Sequence, residues 1–278
     1  MNASCRTALA TLVALSVAGP LRAEQAADAS LTPTLTQEEM SSFLQTARIG
    51  RLRSAGGGVT NSKRATLTDG VLTHDAHIQT VDVAASIFEA GRKSEANFKD
   101  SYRLNLAGYR LARLLALNVP VSVERRVDGK QASVTWWVDD VAMDERGRIK
   151  QGTLGPNPGR ATQQLVVMQV WDELIQNRDR NQGNILWTRD WTMWLIDHTR
   201  AFRLGRELLN PRSLTRCDRD VLTRLRELTP ASVAAALGDS ISRDELDALM
   251  ARRNAIVELF DDRLQRLGEA AVLFSMSR

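Results

Sequence analysis

Residues 177–202 constrain the fold of this chain more than any other stretch, because polar residues that are costly to bury alternate there with apolar runs. The stretch reads NRDRNQGNILWTRDWTMWLIDHTRAF and contains three Asp, three Asn and four Arg, more than a simple surface turn needs. Two apolar runs, separated at 189–190 by Arg-Asp, predict a short antiparallel hairpin. We therefore expect Asp179 and Asn184 on the loop before the hairpin and Asp197 on the loop after it.

The spacing of these three residues is typical of phosphoryl transfer. Asp179 lies five positions before Asn184, and Asn184 lies 13 positions before Asp197. A carboxylate can orient an attacking hydroxyl, and two oxygen ligands can hold Mg²⁺ against nucleotide phosphates. Asp179 and Asn184 match the Asp and Asn of H-R-D-x-x-x-x-N, and Asp197 matches the Asp of D-F-G. A polar turn between a helix and a strand is the alternative, since an Asp and an Asn at this spacing should occur on the order of once by chance.

Residues 48–143 predict a small lobe built on an antiparallel sheet. Asp-Gly pairs at 69–70 and 128–129 lie between strand-like runs and predict the turns of two hairpins. Four side chains between these hairpins recur at helical spacing and predict one helix across 97–120: Phe98, Tyr102, Leu106 and Tyr109. Sheet, helix and hairpin is the element order of a lobe that clamps a nucleotide.

Residues 144–278 predict a mainly helical lobe that carries the catalytic and metal-binding loops. A helix over about 160–176 precedes the polar stretch, and four of its residues form one apolar face: Val167, Val170, Trp171 and Leu174. The last helix begins at a capping box with Ser242 and Glu245. Residues 24–47, before the small lobe, predict a linker and a short helix. The fold class is therefore α+β.

The first residues predict export from the cytoplasm. Arg6, an uncharged run over 7–21 and Ala23 match a secretory signal at residues 1–23. The run is short for a bilayer span, so we expect no stable membrane span after cleavage and a periplasmic or extracellular location. An uncleaved anchor is the alternative, because Leu21 is a mediocre residue at the third position before the cut.

Charge and cysteine content argue against two other classes of function. The formal charge of +4 falls to +2 when Arg6 and Arg22 are removed with the signal, and the remaining Arg residues alternate with acids. We therefore expect no nucleic-acid partner. Cys217 is the only cysteine outside the signal, so the mature chain has no internal disulfide and no thiolate metal cluster.

On the residues of the polar stretch, the chain resembles the atypical kinases: phosphoinositide lipid kinases, secretory-pathway protein kinases and HipA-like bacterial kinases. The first shared pattern is N-x-D-R-x-x-x-N, here Asn177, Asp179, Arg180 and Asn184. The second is I-D-x-x-x-A-F, here Ile196, Asp197, Ala201 and Phe202. Only 172–203 carry the specific likeness.

The resemblance implies a two-lobed protein-kinase-like fold with ATP in the cleft between the lobes. It implies Mg²⁺ or Mn²⁺ bound by Asn184 and Asp197, and Asp179 and Arg180 as the catalytic residues. The implied reaction moves the γ-phosphate of ATP to a hydroxyl of a protein, a lipid or a small molecule. His198, which follows Asp197, is expected to pack and hydrogen-bond, because no second His or Cys stands at ligand spacing.

The resemblance also implies nucleotide contacts in the small lobe. The glycine loop at 54–64 would cover the phosphates, with Gly58, Thr60 and Lys63 as contacts. The segment from Val138 to Met143 would be the hinge that meets the adenine.

The chain departs from the family pattern at its usual ion pair between a strand lysine and a helix acid. Gln79 stands at the lysine position and Asn105 at the acid position, so two amides are expected to face each other there. Lys63 or Lys99 would then supply the missing charge, unless each is a solvated surface residue. The departure keeps a second function open, a catalytically weak pseudokinase that binds a nucleotide or a partner.

Overall fold

The structure is a computed structural model that describes residues 35–55, 62–90 and 93–276. The predicted signal at 1–23 lies outside the described residues, as do Gly58 and Thr60 of the glycine loop. The first described helix is α1 (Gln37–Thr46), which begins at a capping box between Thr36 and Glu39. No helix among the described residues is both long enough and apolar enough to cross a membrane.

The small lobe contains an antiparallel sheet of six strands. They are β1 (Arg48–Ile49), β2 (Arg53–Ser54), β3 (Lys63–Thr68), β4 (Thr73–Gln79), β7 (Ser122–Val127) and β8 (Lys130–Trp136). Their order is β1-β3-β4-β8-β7, with β2 paired to β3. The predicted turns at 69–70 and 128–129 are confirmed, since β3 pairs with β4 and β7 pairs with β8 across them.

One face of this sheet is apolar and packs on α1. Ala76 lies opposite Trp136 in the register of β4 and β8, so both side chains are on this face. The ring of Trp136 contacts the ring of Phe43 of α1, with centroids 5.8 Å apart. Ala65 and Ile78 are also buried on this side. The apolar residues of the sheet therefore face away from the helical lobe.

The opposite face is polar, and we call it the polar face. Register and strand alternation place on it Thr66, Asp75, His77, Gln79, Ser133 and Thr135. Helix α2 (Arg103–Leu115) reaches this face, because Asn105 Nδ2 donates to Ser133 Oγ at 3.3 Å. The polar face is therefore the side of the sheet that is turned toward α2.

A hairpin that the sequence did not predict lies between β4 and α2. Its strands are β5 (Asp82–Ala90) and β6 (Lys93–Ser101), which pair only with each other among the described strands. The prediction of one helix across 97–120 is wrong at its start, because Phe98 lies on β6 and the helix begins at Arg103. Leu106 and Tyr109 are on the helix and buried, as expected.

The second lobe is mainly helical. Its helices are α3 (Glu145–Gln151), α4 (Pro158–Ile175), α5 (Arg219–Glu227), α6 (Pro230–Leu237), α7 (Arg243–Leu267) and α8 (Glu269–Val272). The predicted apolar face of α4 is confirmed, since all four of its residues are buried. The predicted capping box of Ser242 and Glu245 begins α7. The expected α+β fold with a small antiparallel-sheet lobe and a helical lobe is confirmed.

Two small sheets belong to the helical lobe. Strands β9 (Val141–Asp144), β10 (Ile185–Thr188) and β11 (Met193–Leu195) form the first, in the order β11-β10-β9. Strands β12 (Cys217–Asp218) and β13 (Leu273–Phe274) form a parallel pair. Met143 of the expected hinge is thus on β9, opposite Trp187 of β10, whereas Val138 lies between β8 and β9.

Candidate functional site

The register of β10 and β11 brings the two predicted loops to one end of a hairpin. Ile185 lies opposite Leu195, and the next backbone bond runs from the N–H of Ile196 to the carbonyl of Asn184 at 3.1 Å. Asn184 therefore lies beside the residue that precedes Asp197. The predicted hairpin is confirmed, and it positions both proposed metal ligands through main-chain bonds. We call this place the hairpin end.

The loop before the hairpin is folded by its own Asn side chains. Asn177 Oδ1 accepts from the N–H of Asp179 at 3.0 Å. The carbonyl of Asp179 accepts from the N–H of Asn181 at 2.8 Å and from Asn184 Nδ2 at 3.4 Å. These bonds fix the backbone of Asp179 and leave its carboxylate 46% exposed, 3.4 Å from Arg200 Nη1. The backbone of Asp179 is thus fixed, while its carboxylate stays accessible.

Arg180 binds the backbone of both loops. Its Nη1 donates to the carbonyls of Asn184 at 3.1 Å and Ile196 at 2.8 Å. Its Nε and Nη2 donate to the carboxylate of Asp172 on α4 at about 3.1 Å. Burial raises the pKa of Asp172, and the charge and hydrogen bonds of Arg180 oppose that shift. These donors bind protein groups and hold the two loops together, and the predicted catalytic role of Arg180 stays a prediction.

Asp197 has the left-handed backbone conformation, with φ of 55°. Its side chain is exposed, and Thr199 Oγ1 donates to its Oδ1 at 3.0 Å. Asn184 uses its Nδ2 on the Asp179 carbonyl, so its Oδ1 is the atom suited to a cation. A carboxylate and an amide oxygen fit Mg²⁺ or Mn²⁺, with nucleotide phosphates and water completing the shell. The described residues contain no group of three or more His, Cys, Asp or Glu that could hold a metal by themselves.

A buried acid that sequence reasoning missed, Asp100 on β6, lies near the same point. Burial raises the pKa of Asp100, and the charges of Asp197 and Asp179 raise it further, whereas a Thr199 hydrogen bond and Arg200 oppose the shift. In the sequence, Asp100 is only an acid shortly before a helix, and such an acid is too common to indicate a functional site. Arg200 acts electrostatically on Asp100 and also lies 3.4 Å from Asp179, so one arginine faces two of these carboxylates.

His198 is packed between α2 and α4, as expected from the sequence. Its Nε2 lies 3.2 Å from the indole N–H of Trp171 and 3.3 Å from Arg180 Nη2. Both partners are only donors, so Nε2 is the unprotonated nitrogen of a neutral ring. Burial lowers the pKa of His198 well below its usual range, and Arg180 lowers it further. A Cβ added to Gly108 would lie 2.9 Å from His198 Cγ, so α2 approaches this ring closely.

Asn105 joins the small lobe to this region. Its Nδ2 donates to Ser133 Oγ, and its Oδ1 accepts from the backbone N–H of His198 at 2.8 Å. Gln79 lies opposite Ser133 in the sheet register, so both predicted amides surround Ser133. Gln79 is buried, with 2% of its surface exposed, so it does not point to solvent. The direct contact predicted between Gln79 and Asn105 stays a prediction.

The structure places the two candidate substitute lysines on β3 and β6. Lys63 lies opposite Ile78 in the register of β3 and β4, and its expected contact with the phosphates stays a prediction. Lys99 Nζ binds Glu245 Oε1 of α7 at 2.7 Å, so its charge is used between β6 and α7.

Comparisons with solved structures identify the fold. A Fam20 protein from hydra, solved with sugar, matches with a TM-score of 0.66 at 13% identity over 86% of this chain and 92% of that chain. The Golgi casein kinase, solved with Mn and ADP, matches with a TM-score of 0.60 at 16% identity over 85% and 78%. The Helicobacter pylori proinflammatory kinase CtkA matches with a TM-score of 0.50 at 12% identity over 81% and 98%.

These matches confirm the kinase-like fold that the sequence resemblance implied. No protein-family model and no curated protein sequence matches the chain.

Proposed function

We propose that this protein is an ATP-dependent phosphotransferase of the atypical kinase type, which moves the γ-phosphate of ATP to a hydroxyl acceptor. The register of β10 and β11 is the observation that carries the proposal, because it brings Asp179, Asn184 and Asp197 to one hairpin end. A turn with only a structural role would not need an exposed carboxylate on a backbone fixed by two Asn side chains.

Asn184 and Asp197 would hold Mg²⁺ or Mn²⁺ through their side-chain oxygens. Bound there, the cation would neutralise charge on the phosphates of ATP. Arg180 keeps the two ligands together, since it binds the carbonyls of Asn184 and Ile196. Asp100 adds negative charge from β6 and strengthens the attraction for a cation.

Asp179 would orient the acceptor hydroxyl and take its proton as the acceptor oxygen attacks the γ-phosphorus. The new oxygen–phosphorus bond would form as the bond to the β-phosphate oxygen breaks, and ADP would leave. Arg200, 3.4 Å from the Asp179 carboxylate, would stabilise the negative charge at this point. The acceptor class, whether protein, lipid or small molecule, is not part of the proposal.

A binding module without turnover, a pseudokinase, is the second candidate. Gln79 and Asn105 favour it, because they replace the ion pair that positions phosphates in active kinases of this fold. The proposed exported location, periplasmic or extracellular, favours it as well, since such compartments of bacteria contain little ATP. Asp179 favours the enzyme, because binding alone has no need for a base.

Calorimetric titration of ATP with and without Mg²⁺, followed by assays of phosphate release and autophosphorylation, separates the two candidates. The enzyme should bind Mg²⁺-ATP and release or transfer phosphate. Binding with no turnover would support the pseudokinase, and no nucleotide binding would leave only a likeness of fold. The predicted export has its own test. N-terminal sequencing of the mature protein should give a first residue near Glu24. An intact Met1 on a membrane-bound form would contradict the predicted cleavage.

A further inference from the structure

His77 lies on the polar face of the small-lobe sheet, in the middle of β4. It is opposite Arg64 of β3 and Thr135 of β8, and strand alternation puts it on the same side as Gln79, two residues further along. As a residue, His77 is intermediate in burial. It shares the polar face with Gln79, which stands at the position where the resemblance expects a lysine.

A series of side-chain contacts that starts at Gln79 links the polar face to the hairpin end. Gln79 lies opposite Ser133, Ser133 binds Asn105, and Asn105 binds the N–H of His198. His198 follows Asp197 in the chain, so these contacts connect the strand of His77 to the loop that carries a proposed cation ligand.

The ring of His77 differs from the rings of the other two histidines. His74 contacts the Asp75 carbonyl and Asp139 through its two ring nitrogens, and His198 Nε2 contacts Trp171 and Arg180. Within the described part of the chain, no hydrogen bond to the His77 ring is found. A partly buried imidazole normally has a polar partner, so a cleft-facing one without a protein partner suits a ligand.

We propose that His77 binds the nucleotide phosphates from the sheet side, two residues before the position where the resemblance expects a strand lysine. The inference rests on the proposed function, since it assumes that a nucleotide occupies this cleft. Burial lowers the pKa of His77, and the charge of Asp197 opposes that shift. Even a neutral imidazole can donate one N–H to a phosphate oxygen, and a hydrogen bond to a charged group is stronger than a neutral one.

The test compares ligands that share the base but differ in phosphates. Calorimetry measures the affinities of wild type and His77→Ala for Mg²⁺-ATP, Mg²⁺-ADP and adenosine. Ligands that bind too weakly for direct titration are measured by competition. Loss of one hydrogen bond to a charged group should weaken ATP and ADP binding about tenfold to a hundredfold. Adenosine binding should change less than about twofold. His77→Gln keeps an N–H donor and should recover most of the ATP affinity.

His74→Ala is the matched control, because His74 is on the same strand but on the opposite face, stacked on Trp136 at 3.7 Å. It should leave nucleotide affinity unchanged, and thermal melts of all variants verify that each is folded. Unchanged ATP affinity in folded His77→Ala, or an equal loss for adenosine, would overturn the inference. If wild type binds no nucleotide, the proposed function fails first and this inference with it, so the two failures are distinguishable.

Discussion

Asn105 Oδ1 accepts a 2.8 Å hydrogen bond from the backbone N–H of His198, the residue that follows Asp197. The same side chain donates to Ser133 on β8. One amide on α2 therefore connects the sheet of the small lobe to the loop that carries a proposed metal ligand. A change in the position of α2 would therefore affect the loop of Asp197 through this side chain.

We expect Asn105→Ala to lower the free energy of unfolding by about 1–3 kcal/mol, because the buried N–H of His198 loses its partner. The affinity for Mg²⁺-ATP should fall as well, since Asp197 is then less firmly held. Urea unfolding and calorimetry measure the two effects. Asn254→Ala on the exposed side of α7 is the control and should change stability by less than about 0.5 kcal/mol. Equal losses in both variants would contradict the connecting role.

Changes at Asp197 and Asp179, two residues of the hairpin end, should impair the protein in different ways. Asp197→Ala should abolish the Mg²⁺-dependent part of ATP binding, because a ligand of the cation is lost. Asp179→Asn should leave binding nearly intact and lower the transfer rate by about 10²- to 10⁴-fold, the usual contribution of a general base. Calorimetry and a transfer assay measure the two. Asp247→Asn on α7 makes the same chemical change at an exposed site and should do neither. Activity within a few-fold of wild type in Asp179→Asn would remove its assignment as the base.

Two glycines in helices should respond oppositely to alanine. In Gly108→Ala the new Cβ would lie 2.9 Å from Cγ of buried His198, so we expect a loss of about 1–3 kcal/mol from overpacking. In Gly159→Ala the nearest atom is Asn157 Oδ1 at 3.4 Å, an ordinary contact. Alanine there should stabilise α4 by up to about 1 kcal/mol. Thermal or urea unfolding measures both, and a neutral Gly108→Ala would show that α2 and His198 are less closely packed than described.

Cys217 should be unreactive in the folded protein. Its side chain is fully buried, and burial, together with the charge of Asp218, raises the pKa of the thiol to about 12. Since the thiolate is the reactive form, a thiol reagent at pH 8 should label almost no Cys217 until urea unfolds the chain. Cys5→Ser removes the other thiol from the assay. Labelling of the folded protein as fast as in urea would contradict the burial of this residue.

Features governed by near neighbours in the chain could be predicted from the sequence. The turn at 69–70, the hairpin around 189–190 and the capping box at Ser242 each depend on a few consecutive residues. Because the strand register follows from the turn, the sequence alone was enough to assign Asp179, Asn184 and Asp197 to one place. The amides at Gln79 and Asn105 were identified as departures only through the resemblance to the atypical kinases.

Features that depend on distant packing could not be predicted. Phe98 and Tyr102 are four residues apart, as in a helix, yet Phe98 is on β6 because that strand pairs with β5. The pairing of Met143 with Trp187 across β9 and β10 joins residues 44 positions apart, so no local pattern predicts it. The place of Asp100 near the site could not be predicted, because only the fold brings it near Asp197, which lies 97 positions later in the sequence.

Asp197 keeps a left-handed backbone, a conformation that glycine adopts freely and that costs other residues on the order of 1 kcal/mol. Asp197→Gly would therefore relieve the backbone while it removes a proposed cation ligand. Stability and the proposed cation binding make opposite demands on this one position. A glycine introduced there to raise resistance to heat would remove the carboxylate that the proposed function needs.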